Sequence, residues 1–180
     1  MAPILRLARI TGLGEGVDFS RALLPSAIDR SLAVLREYRE LMDGHGVQEV
    51  RMVGTSALRD ASNRESFSTA AAKVIGSALS VVTGEEEASL SFHGATAELS
   101  DGGGPWLVAD IGGGSTELVV GPQPFGARSL DLGCVRVTER FLHADPPSPI
   151  ELSTAANWLR AQYRRAEAEL PALRSAGTLG

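Results

Sequence analysis

A chain of 180 residues with 43% hydrophobic and 22% charged side chains has ordinary globular composition, enough for one large domain or two small ones. The formal net charge of −5 excludes a general nucleic-acid binder, which would carry a basic patch. It would also repel a polyanion at long range, so local arginines and a metal must overcome the field. No apolar run is long enough for a membrane span, and Met1–Arg6 lacks a signal peptide's apolar region. The single cysteine, Cys134, permits no intrachain disulfide and suits a reducing cytoplasm.

Ile4–Leu13 alternates apolar and polar residues and predicts a strand, closed by the glycines of GLGEG. That glycine cluster lacks the spacing and the lysine of a nucleotide loop, so it reads as a turn. Pro25 suits the first position of a helix running to about Asp43, with Ile28, Leu32, Leu35 and Met42 inward; Gly44 and Gly46 end it. Val47–Val53 predicts a strand that runs into small polar residues, Gly54 to Asn63, where open α/β sheets place ligands. Arg59 stands there, and its planar fork suits a phosphate as well as it suits a surface ion pair with Asp60. Asn63 is placed to cap a helix over Arg64–Ile75, which Gly76 stops, and Ala78–Val82 predicts another strand.

Thr83 and Glu86 form a capping box for the next helix. Glu85 suits the helix dipole, and so could Glu87. Glu87, however, shares a stripe with Leu90, Ser91, Gly94 and Ala97, which points it toward the interior. A carboxylate there could accept a proton from water, although on the residues alone helix-start preference is the stronger explanation for all three glutamates. His93 has no partner that would make a metal-ligand spacing. The glycines Gly102–Gly104 read as a break between two lobes, 1–101 and 102–180.

The second lobe opens on Trp106–Ala109 and Leu118–Gly121, two short apolar strands flanking Asp110-Ile111-Gly112-Gly113-Gly114-Ser115-Thr116-Glu117. A tight turn centred on Gly113 and Gly114 would set Asp110 directly opposite Glu117, about 5 Å away on one face of the sheet. Two acids that close repel unless a cation sits between them. The glycines expose backbone N–H groups, and Ser115 and Thr116 add hydroxyls. The stretch thus offers donors for phosphate oxygens and a carboxylate pair for a hard cation such as magnesium. A plain hairpin with solvated acids is the weaker alternative. Ala127–Leu132 predicts a third strand, followed by a short helix from Gly133 to Leu142, in which Cys134 reads as a buried structural thiol. Ser148 and Glu151 form a second capping box, with Pro149 at the first position of a long helix that Pro171 ends.

Five stretches, RITGLGEGVD, GTSALRDASN, TGEEEASLSF, DIGGGSTELVVG and SLDLGCVRVTERFL, resemble, in the same order, the exopolyphosphatase and guanosine pentaphosphate phosphohydrolase (Ppx/GppA) family. The resemblance implies an α/β, ribonuclease-H-like fold of the actin, sugar-kinase and Hsp70 (ASKHA) superfamily, in two lobes. It implies a metal-dependent hydrolase that removes terminal orthophosphate from polyphosphate, or the 5′ phosphate of guanosine pentaphosphate. Glu87 matches the catalytic glutamate, Arg59 a phosphate-binding arginine, and Gly112, Gly113, Gly114, Ser115 and Thr116 the phosphate loop; Asp110 and Glu117 would hold magnesium or another divalent cation. It implies neither a nucleic-acid nor a membrane partner, and allows a homodimer of the full-length protein. The family's first phosphate hairpin and the rest of its second lobe have no counterpart here, so a fragment with incomplete sheets and little activity of its own is expected. A non-catalytic nucleotide- or polyphosphate-binding lobe of the actin or Hsp70 type is the alternative.

Overall fold

The computed structural model describes residues 4–99, 105–121 and 126–174. They form two compact units, Met1–Val81 and Val82–Gly180.

In the first unit, α1 (Val17–Ser20), α2 (Pro25–Gly44), α3 (Ser56–Asp60) and α4 (Arg64–Ile75) accompany two strands, β1 (Met52–Gly54) and β2 (Leu79–Val81). The strands pair in parallel, with Met52 opposite Leu79 and Gly54 opposite Val81. Val17, Leu23, Leu58, Ala61, Phe67 and Ala71 are buried together, and Ile28, Leu32 and Leu35 from the predicted stripe of α2 pack on them. Pro25 starts α2, and Gly76 ends α4 in the left-handed region at φ 78°. Asn63 stands at the N-cap of α4, but its side chain makes no cap bond. Its amide pairs with the backbone of Leu23 instead, accepting from the N–H at 2.8 Å and donating to the carbonyl at 3.0 Å. Asn63 thereby ties the start of α4 to the chain before α2.

Residues 5–12 form no strand. Alternation sets which side chains face inward, but a strand also needs a neighbour for its backbone polar groups, and none pairs with it among the described residues. The Thr11 carbonyl accepts from Arg30 Nε at 2.8 Å instead. Ile4, Leu5 and Leu7 line an open apolar groove of about 770 Å³ with Leu35, Tyr38 and Ile75. The glycines of GLGEG make a turn, as expected, and Gly16 opens α1.

The second unit begins with α5 (Gly84–Thr96), followed by β3 (Trp106–Ile111), β4 (Thr116–Gly121) and β5 (Gly126–Leu130), an antiparallel sheet in sequence order. Then come α6 (Cys134–Phe141), α7 (Pro149–Glu169) and a 3₁₀ turn, Pro171–Arg174. The units divide at Val81 and Val82 rather than at 101 and 102, because α5 packs on all three strands of this sheet. The glycine run Gly102–Gly104 lies outside the described residues. Ala88 and Phe92 of α5 are buried against Val119, with Val108 and Ala127 beside them. Every residue of β4, the central strand, is buried.

Both capping boxes are present. Glu86 accepts from the Thr83 N–H at 2.8 Å, and Thr83 Oγ1 accepts from the Glu86 N–H at 3.1 Å. Glu151 does more than close its box. Its carboxylate accepts from the N–H groups of Ser148 at 2.7 Å, His143 at 2.9 Å and Ala144 at 3.1 Å. These bonds, the Ser148 N–H first, hold its pKa down at about 2. Among the described residues no helix is long and apolar enough to cross a membrane.

Two outcomes follow from this packing. Phe92→Ala should cost about 3–5 kcal/mol of stability, read as a lowered denaturant midpoint, because Phe92 is only 1% exposed. Glu151, with its folded pKa depressed from 4.5 to about 2, contributes stability that is full above 4.5 and is lost as pH falls toward 2. Melting temperatures followed down that window should fall less steeply in Glu151→Gln than in the wild type.

Candidate active site

The turn between β3 and β4 has the predicted centre. The Gly112 N–H donates to the Ser115 carbonyl at 2.9 Å, leaving Gly113 and Gly114 as the two central residues. The register then follows: Ile111 faces Thr116 and Asp110 faces Glu117. The row continues into the third strand, where Glu117 faces Ser129. Asp110, Glu117 and Ser129 therefore lie side by side across β3, β4 and β5.

Helix α5 lies against this row. At its first residue, a β-carbon on Gly84 would stand 2.6 Å from Ser129 Cβ, so only glycine lets the helix come down there. Two turns on, the Ser91 hydroxyl donates to Asp110 Oδ2. Glu87 falls between them on the same helical face, half-buried. It is near enough to Glu117 to act on it electrostatically.

Glu117 is 1% exposed. Its Oε1 accepts from Ser129 Oγ at 2.7 Å, whereas Oε2 is buried with no partner. Burial raises its pKa above the ordinary 4.5, because the charged form has lost its water. The hydroxyls of Ser129 and Ser115 partly offset this, and the negative charges of Glu87 and Asp110 add to it.

The turn's carbonyls are all engaged. Gly112 O accepts from the Cys134 N–H at 3.0 Å, and Gly113 O accepts from the N–H groups of Val135 at 3.0 Å and Arg136 at 3.2 Å. Gly114 O accepts from Arg136 Nε at 2.9 Å. The N–H groups of Gly113 and Gly114 have no acceptor among the described residues, and Gly113 is exposed.

Of the residues singled out from the sequence, the second unit brings together Glu87, Asp110, Glu117 and the glycine turn. Arg59 lies in the first unit, on α3, half-buried. Ser115 is buried, and its hydroxyl favours the charged form of Glu117. The expectation for Thr116 needs correction. It is 1% exposed, and its hydroxyl donates to the Leu132 carbonyl at 2.6 Å. One step along the strand puts its side chain on the face opposite Glu117, where its hydroxyl pins the hairpin to the chain before α6. Cys134 is exposed rather than buried; it contributes its backbone N–H to the turn, not its thiol. Ser91, Ser129 and Arg136 were not identified from the sequence as site residues. The two serines could have been found only by pairing strands beyond the hairpin and by fixing how α5 crosses them.

Among the described residues no three or more His, Cys, Asp or Glu side chains cluster closely enough to hold a metal by themselves. Hard cations such as magnesium are commonly held by one or two carboxylates plus water and substrate oxygens. Opposed acids with one orphaned, buried oxygen fit that donor set.

This architecture is the α/β fold of the actin, sugar-kinase and Hsp70 superfamily, and solved structures of that kind superpose on it closely. The crystal structure of an exopolyphosphatase-like protein aligns with a TM-score of 0.86 at 36% identity, covering 92% of this chain and 53% of that one. An exopolyphosphatase from Cytophaga hutchinsonii aligns at 0.81 and 29% identity, covering 88% of this chain and 52% of that one. In sequence, exopolyphosphatase 2 of Mycobacterium tuberculosis is 47% identical over 172 residues, 92% of this chain and 54% of that protein. The chain belongs to the Ppx/GppA phosphatase family, whose model matches residues 1–179. It spans about half the length of these relatives.

Because its pKa is raised, Glu117 contributes stability that is full below 4.5 and is lost as pH rises through the folded value. Carboxyl-carbon NMR should find it titrating above the ordinary 4.5. Ser129→Ala should raise it further and cost about 1–3 kcal/mol, since it leaves a buried acceptor unanswered.

Proposed function

We propose that the chain carries the cleavage site of an exopolyphosphatase, which hydrolyses the terminal phosphoanhydride of inorganic polyphosphate and releases orthophosphate. The observation that carries this reading is Glu117 Oε2, buried and unpartnered, in an acid pair beside a turn whose Gly113 and Gly114 amides have no acceptor among the described residues. The names of the relatives, exopolyphosphatases from two organisms, point the same way.

In this reading Glu87 is the general base that takes a proton from the attacking water. Its place on the inner face of α5, between Gly84 and Ser91, directs it toward the acid row. The N–H groups of Gly113 and Gly114 receive the phosphoryl oxygens and stabilise charge as it develops there. Asp110 and Glu117 would hold a divalent cation, magnesium first, which neutralises phosphate oxygens when bound. The serine hydroxyls on Asp110 and Glu117 orient both carboxylates in advance. Ser115 serves through Glu117 and its own N–H, and Thr116 through the rigidity of the hairpin. Arg59 enters only through the family resemblance, as a cation for the anionic chain. The single cysteine suits cytoplasmic action.

Guanosine pentaphosphate, losing its 5′ phosphate, is the second substrate this family reading allows. Orthophosphate release from long-chain polyphosphate with magnesium should exceed that from guanosine pentaphosphate, and both should exceed that from ATP. Preference for ATP would favour an actin-like or Hsp70-like nucleotide lobe instead. Glu87→Gln should lower turnover by about a hundredfold or more and leave tripolyphosphate binding intact. An unaltered rate in that variant would remove Glu87 from the mechanism.

A further inference from the structure

We infer that Arg136 is the positioning residue of the phosphate turn, acting from behind it on the peptide groups that meet the phosphoryl oxygens. The inference rests on the phosphate-site reading above and adds to it what orients and polarises the donors.

The argument starts from the peptide bond. In a trans peptide the C=O and the following N–H point in opposite directions. Fixing the carbonyls of Gly112, Gly113 and Gly114 on one side therefore aims the N–H groups of Gly113, Gly114 and Ser115 to the other. The first turn of α6 does this for two of the three carbonyls. Its otherwise unpaired N–H groups, Cys134, Val135 and Arg136, bond Gly112 O and Gly113 O. Gly114 O takes its donor from a side chain instead, at 2.9 Å from Arg136 Nε.

That donor belongs to an arginine that is 6% exposed as a residue. Burying a charge is costly, and a neutral donor would satisfy a carbonyl at less expense. What the cation adds is strength and polarisation. A charged donor makes roughly twice the bond of a neutral one. Pulling electron density toward Gly114 O leaves the Ser115 N–H, on the same peptide, a better donor. The positive charge also lies one peptide behind a site ringed by Glu87, Asp110 and Glu117, whose charges oppose an incoming phosphate. Gly133 keeps α6 within reach: a β-carbon there would stand 2.3 Å from Gly113 C and O and 2.5 Å from Gly114 N.

The test uses the full chain, with Arg136→Lys and Arg136→Ala, and reads the amide resonances of Gly113, Gly114 and Ser115 during titration with tripolyphosphate and magnesium. In the wild type all three should shift. In Arg136→Lys, with helix content unchanged by circular dichroism, the Ser115 amide should move upfield before ligand is added, and tripolyphosphate should bind about tenfold more weakly. Millimolar guanidinium should restore binding to Arg136→Ala and leave the wild type unchanged, which space-filling alone would not produce. Folded Arg136→Lys that binds as the wild type does would overturn the inference and leave the phosphate site standing. Wild-type amides unmoved by tripolyphosphate would overturn both. If Arg136→Ala does not fold, Arg136→Lys decides alone.

Discussion

A buried carboxylate oxygen with nothing to bond sets the terms for the second unit. Glu117 sits on the central strand of a three-stranded sheet, where its neighbours exclude water. Folding alone would place an apolar residue there, as it does at Val119 and Val120 on the same strand. The surroundings are arranged to make the acid bearable rather than comfortable. Ser129 answers one oxygen from the adjacent strand, and Ser115 acts on the same carboxyl. The other oxygen is left open beside Asp110, whose charge makes Glu117 harder to ionise. A cation bound there would answer the open oxygen and offset the neighbouring charge.

Helix and turn then solve two separate positioning problems. Helix α5 anchors itself by burying Ala88 and Phe92 against Val119, and this fixes the rotation at which Glu87 and Ser91 meet the acid row. The capping box at Thr83 fixes where the helix begins, and Gly84 lets that beginning press on Ser129. The turn is held from behind by α6. Neither Gly112 nor Gly113 adopts a left-handed φ; a β-carbon on Gly112 would crowd the Ser115 carbonyl at 3.2 Å, whereas one on Gly113 would meet Val135 at ordinary contact distance.

Local chemistry was the legible part of the sequence. Both capping boxes, Pro25, Gly76 and the hairpin register are set by residues within a few positions of one another, and each stands as read. What failed depended on partners distant in the chain. Residues 5–12 alternate like a strand, yet alternation supplies no neighbour to bond. Asn63 has the chemistry of a helix cap, yet its amide found the Leu23 backbone, forty residues away. Thr116 looked like a ligand donor until strand pleating turned it inward to Leu132. Ser129 and Arg136 were invisible for the same reason. Nothing near Ser129 in sequence marks it as the neighbour of Glu117, and a lone arginine in a short helix reads as surface charge.

Gly133 changes how substitution experiments near the hairpin should be read. Alanine is normally the mildest replacement, a methyl in place of a hydrogen. Here that methyl would be a wedge driven between the start of α6 and the backbone of Gly113 and Gly114. A damaged Gly133→Ala protein would therefore say nothing about a missing side-chain contact. It would report that two stretches of bare main chain are meant to touch.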